Sequence, residues 1–137
     1  MRAPATSLAA VTGRYLGQPF EALPCLELVC RIYRDDLGVA FPEEFKGVTR
    51  DDFLDRWKSN RRGLESLMLR FFRSLGRPVD VRRPRRWDLL ACLGRTRAVF
   101  PAVCTGRGQA ITSTIKEGVV IVSLTKINRP IMARRLI

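Results

Sequence analysis

The sequence contains no histidine. That absence removes imidazole as a general base, as a metal ligand and as a proton switch near neutral pH. Four cysteines are present, Cys25, Cys30, Cys92 and Cys104, but no C-x-x-C pair. Zinc and thioredoxin-type motifs therefore lack their ligand spacing. Cys25 and Cys30 fall on different faces of a helix, unlike the closely spaced loop ligands of an iron–sulfur cluster. No cofactor and no metal are expected. No apolar run reaches the roughly 18 residues of a membrane-spanning helix, so no membrane insertion is expected. The opening stretch, 1–14, has neither the basic end nor the long apolar core of a secretory signal. Reduced thiols are the corresponding expectation. There is no Gly-rich phosphate loop, and no recognisable RNA- or DNA-binding motif.

What remains is a chain of 137 residues, 46% apolar, which is enough to bury a core and form one domain over 1–137. Its charge is lopsided, with 25 basic against 13 acidic side chains and a net of +12. Nearly all the basic residues are arginine; Lys46, Lys58, Lys116 and Lys126 are the only lysines. The acids gather at 35–55 (Asp35, Asp36, Glu43, Glu44, Asp51, Asp52, Asp55), against Lys46 and Arg50. Arginines dominate 61–97 and are densest at Arg82, Arg83, Arg85 and Arg86. Arg134 and Arg135 add to them near the end. Such a split favours docking against complementary protein surfaces. A basic excess also fits a polyanion, but aromatics do not interleave with the arginine cluster, so nucleic acid is not favoured.

Helical patterning fills the first half. From Pro24 to Leu37 apolar residues cover most of the helical circumference, as in a central packed helix, with Pro24 at its first turn and Gly38 as its C-cap. Thr49 followed by Asp51 and Asp52 predicts a second helix over 50–59. A third, 63–75, carries Leu64, Leu67, Met68, Phe71, Phe72 and Leu75, and ends at Gly76 and Pro78. After Pro84, β-prone segments at 87–93, 98–105, 109–115, 119–124 and 131–137 alternate with turns. Gly106-Arg107-Gly108 and Lys116-Glu117-Gly118 have hairpin character. Helices followed by an antiparallel meander predict an α+β fold, the helices on one face of the sheet. Residues 1–12 are read as an N-terminal arm.

Cys25 begins the central helix. A thiol at a helix N-terminus is easily ionised, and a helix N-terminus facing a sheet that carries a base is the arrangement of a cysteine nucleophile. Here the helix and the sheet are present and the imidazole is missing.

The segment GRYLGQPFEALPCLELVCRIYRDDLGVAFP resembles the opening of the NlpC-type cysteine peptidases, small papain-like enzymes that cut bacterial cell-wall peptides. Tyr15-Leu16-Gly17, Pro19-Phe20, Cys25, Leu28-Val29, Tyr33, Leu37-Gly38-Val39 and Phe41-Pro42 carry the likeness. Trp87-Asp88-Leu89-Leu90, Val99 to Val103, Gly106-Arg107-Gly108 and Gly118-Val119-Val120 extend it. The resemblance implies a papain-like fold, with N-terminal helices on a C-terminal antiparallel sheet or small open barrel. It puts the nucleophile at Cys25, the catalytic histidine at Phe100 and the third polar residue at Thr112. Pro24 and Leu26 also depart from the family's usual neighbours of the nucleophile. A phenylalanine accepts no proton, so the resemblance is to a degenerate member without peptidase activity.

Domains of this type occur as small tail-tip components of long-tailed bacteriophages. The expectation is thus a structural virion protein at the tail tip, made in the host cytoplasm. Its partners would be hub proteins of the same particle, contacted through Arg82, Arg83, Arg85, Arg86, Arg134 and Arg135. Two alternatives stand beside it: a thiol hydrolase acting on peptidoglycan through Cys25 with another base, and a basic module for nucleic acid or another polyanion.

Overall fold

A computed structural model describes residues 7–41, 55, 56 and 58–137. The first helix, α1, spans Leu8–Tyr15 and is capped by Ser7, whose Oγ accepts the Ala10 N–H at 3.1 Å. Val11 and Tyr15, one turn apart, are its buried residues. The stretch read as an arm is therefore a docked helix from Leu8 onward, while 1–6 lie outside the described residues.

Helix α2 spans Cys25–Arg31 and runs into a π-helical turn, Ile32–Asp36. Pro24 is its N-cap rather than its first residue. Cys25, Leu26, Leu28, Val29 and Cys30 are all buried, as the all-round apolar pattern requires. Gly38, at φ +64°, ends it, and the Val39 N–H returns to the Tyr33 carbonyl at 2.8 Å. Most of the helix expected over 50–59 lies outside the described residues; Asp55, Arg56, Lys58 and Ser59 are helical. Helix α3, Arg61–Arg73, starts where the Asn60 side chain accepts the Gly63 N–H at 3.2 Å. It buries Leu64, Met68, Phe71 and Phe72.

Six strands follow: β1 Arg77–Pro78, β2 Leu89–Leu93, β3 Val99–Gly106, β4 Gln109–Thr114, β5 Gly118–Ser123 and β6 Arg129–Arg135. They form one sheet of order β1-β6-β2-β3-β4-β5. The meander from β2 to β5 is as the turn glycines predict. The last strand crosses back to pair with β2 and β1. All strand pairs are antiparallel, so the architecture is α+β.

The sheet separates two cores. On the helix side, α1, α2 and α3 pack on Leu89, Ala91, Val99, Val103, Ile111 and Val119. On the far side a smaller cluster joins Leu90, Cys92, Ala102, Cys104, Ala110 and Ala133, with Val79, Val81 and Leu124 laid against it. Strand alternation sorts residues between the faces. Gly118 fixes the helical layer to the sheet edge. It sits at φ +73°, and a Cβ there would stand 2.2 Å from the Gln18 carbonyl oxygen. That closeness lets the Val119 N–H reach Gln18 at 2.8 Å while the Val119 carbonyl accepts from Gly17 at 3.1 Å.

Candidate functional site

Cys25 opens α2 and is buried in the helix-side core, where α2 packs on β3 and β4. Only 1% of the residue is exposed. Burial pushes its thiol up from an ordinary 9.0 to about 12, and the backbone N–H groups of Leu26 and Cys25 only partly offset this. The helix-terminal N–H groups lower the pKa, but desolvation is the larger effect, so this thiol ionises less readily than an ordinary one, not more.

The strand register decides what faces the thiol. Leu89 pairs with Val103, Ala91 with Pro101 and Leu93 with Val99, so Val99, Pro101 and Val103 are the helix-facing positions of β3. Phe100 pairs with Cys92 and packs with the far-side cluster, its ring over the place a side chain at Gly94 would occupy. It therefore does not face Cys25. The helix-facing neighbours of that position, Val99 and Pro101, are no more able to accept a proton. On β4, Thr112 pairs with Val120 and donates its hydroxyl to the Pro101 carbonyl at 2.8 Å across the strand boundary. The helix-facing residue is the next one, Ser113, which pairs with Val119. Its Oγ is buried and has no hydrogen-bond partner among the described residues. Ser113, one residue beyond Thr112, carries no signal in the sequence pattern; only the strand pairing brings it to the helix-facing side.

Several other buried polar groups have structural duties. Buried Asp36 receives the Tyr15 hydroxyl at 2.6 Å and an ion pair from Arg14, so it does not belong to an acidic surface. Burial first, and then Asp36, raises the Tyr15 phenol to about 12. Tyr33 is wholly buried and donates to the Trp87 carbonyl at 2.7 Å. Asp88, 1% exposed, accepts the Arg85 N–H at 2.7 Å and a two-pronged contact from Arg135 Nε and Nη2, each at 2.8 Å. Cys30, Cys92 and Cys104 are buried and form no disulfide. No group of three histidine, cysteine or acidic residues able to hold a metal occurs among the described residues. No helix among the described residues is long and apolar enough to cross a membrane.

The six arginines singled out in the sequence divide by use. Arg135 grips Asp88. Arg134 donates to the Leu75 and Gly76 carbonyls at the end of α3, at 2.8 and 3.1 Å. Arg86 donates to the Thr105 carbonyl at 3.3 Å. Arg82, Arg83 and Arg85 project from the exposed 80–86 loop, Arg82 beside Asp80.

No family model matches the chain, and no curated protein sequence matches it. Among solved structures, it is similar to an NlpC/P60 family protein from Bacillus cereus, with a TM-score of 0.59 and 19% identity. The match covers 98% of this chain and 41% of the other, so the chain spans less than half the length of that protein. The likeness establishes the fold: an NlpC/P60-like α+β architecture.

Proposed function

We propose that the chain is a catalytically inactive NlpC-like domain that serves as a structural protein of a bacteriophage tail tip, docked on hub proteins of the same particle. The observation that carries the reading is the sealed Cys25. A cysteine peptidase needs an accessible thiolate beside a base. Here the thiol is buried, its ionisation is suppressed, and the facing strand offers Val99, Pro101 and Val103. Ser113 Oγ is an alcohol and does not serve as a base near neutral pH. A scaffold that keeps its packing without its chemistry suits a subunit held by neighbours. The uneven charge along its sequence supports oriented docking, although the acidic stretch from 42 to 54 lies outside the described residues.

Two measurements test this. Purified protein should release no soluble fragments from peptidoglycan, and a Cys25→Ser variant should behave identically. Tagged protein expressed in phage-infected cells should sediment with tail particles and cross-link to hub subunits. Wall cleavage abolished by Cys25→Ser, or recovery only as a free monomer during particle assembly, overturns the reading.

A further inference from the structure

The far side of the sheet carries a second feature, remote from Cys25 and independent of how the thiol is read. A cleft of about 710 Å³ opens between the 81–84 loop, the 124–126 segment after β5 and the start of β6. Its charged lining is Arg82, Arg83, Lys126 and Arg129, with no acid among the lining residues. All four are exposed. Arg83, Lys126 and Arg129 form no ion pair among the described residues, while Arg82 leans on Asp80, with its side chain 85% exposed.

Both walls are set in place by the backbone. Asp80 Oδ1 accepts the Arg82 N–H at 2.9 Å and the Asp80 carbonyl accepts the Arg83 N–H at 3.1 Å, which fixes the turn presenting both arginines. Opposite, the Leu124 N–H bonds to Gly108 at 2.7 Å and the Ile127 N–H to Thr125 Oγ1 at 3.3 Å. Between the cations the surface is aliphatic. Val81 and Leu124 rise from the far-side core, and Ile131, a large apolar side chain, is 41% exposed.

Such a lining discriminates between anions. Single-stranded nucleic acid needs flat rings to stack its bases, and no aromatic residue lines the cleft. An extended polypeptide places successive side chains on alternate sides, so it can meet cations and aliphatic surface in turn. We propose that this cleft docks an extended acidic segment of a partner protein, in which carboxylates alternate with aliphatic side chains. Arg83, Arg129 and Lys126 receive the carboxylates, and Ile131 with Leu124 receives the aliphatic groups.

Fluorescence anisotropy on the full chain tests it, using a short labelled peptide alternating Glu and Val, a charge-matched Glu–Ser peptide and a short oligothymidine. The Glu–Val peptide should bind most tightly and weaken with added salt. Arg83→Glu combined with Arg129→Glu should weaken it by at least about tenfold. The same charge change at exposed Arg70 and Arg73 on α3 should have little effect. Ile131→Ser should remove the preference for Glu–Val over Glu–Ser. All these positions are exposed, and circular dichroism confirms that each variant is folded. Absence of peptide binding, equal losses from the α3 control, or tighter binding of oligothymidine through Arg83 and Arg129 each overturns the proposal.

Discussion

The reactivity of Cys25 can be worked out from its surroundings. Alkylating reagents attack through the thiolate. Near pH 8 an ordinary thiol with a pKa of 9.0 is about a tenth ionised, whereas one raised to about 12 is ionised about a thousandfold less. The residue is also 1% exposed, so a reagent reaches it only when the helix–sheet interface opens. The folded protein should therefore alkylate at Cys25 at least about a thousandfold more slowly than a cysteine in an unstructured peptide. It should react no faster than Cys92, whose thiol burial also raises to about 12. Peptide mapping by mass spectrometry after timed iodoacetamide exposure reads both rates. Strong denaturant should bring all four thiols to the same fast rate. Phe100→His should leave the rate at Cys25 unchanged, because that side chain lies in the far-side cluster. Selective labelling of Cys25, or a rate within tenfold of the free peptide, would refute the sealed-thiol argument. A marked acceleration in Phe100→His would refute the assignment of faces.

Replacing Arg135 by Ala leaves the Asp88 carboxylate buried without its ion-pair partner. Equilibrium urea unfolding should show a loss of about 3 kcal/mol, the low end for a broken buried pair because Arg135 keeps some solvent contact. Gly118→Ala should cost about 2 kcal/mol or more by the same measurement, since it adds strain at φ +73° to a collision with Gln18. Alkaline conditions should erode stability. Folding raises the pKa of the Cys25 thiol from 9.0 and of the Tyr15 phenol from 10.0, each to about 12, so their contributions are complete below the unfolded values and disappear as pH rises to about 12. Unfolding midpoints should therefore fall from about pH 9 upward, and Tyr15→Phe should flatten the portion above pH 10; an unchanged slope would contradict this account.

Sequence reasoning located the meander well because β-branched runs and turn glycines are local signals. Gly106, Gly108 and Gly118 all adopt positive φ where the strands reverse. It located α2 and α3 by their apolar periodicity. It missed α1 because Leu8–Tyr15 shows only two core residues, Val11 and Tyr15, and contains Thr12 and Gly13, which are weak helix formers. The fate of charged residues was less legible. Asp36 reads as part of an acidic run, yet its partner Arg14 lies far back in the chain. Arg134 and Arg135 read as terminal contacts, yet the crossing of β6 brings them to Leu75, Gly76 and Asp88. At the candidate site the identity of the nucleophile position could be read, but the face of each strand residue could not. A shift of one residue exchanges Phe100 for Val99 or Pro101, and Thr112 for Ser113. Strand pairing alone determines which of them meets the helix.

The placement of β6 also predicts an order of folding events. Hairpins from β2 to β5 join neighbours in sequence and can zip as soon as each turn forms. Strand β2 reaches its other partner only when Leu89 meets Arg134, a pairing that closes a long loop around the whole meander. Until then one edge of β2 stands open, and Asp88 has no guanidinium to meet it. Insertion of β6 between β1 and β2 is therefore expected to close last, and stopped-flow refolding of Arg135→Ala, in which Asp88 loses its β6 partner, should slow only if that closure limits the rate. Conditions that delay it leave a strand edge free to pair with another molecule.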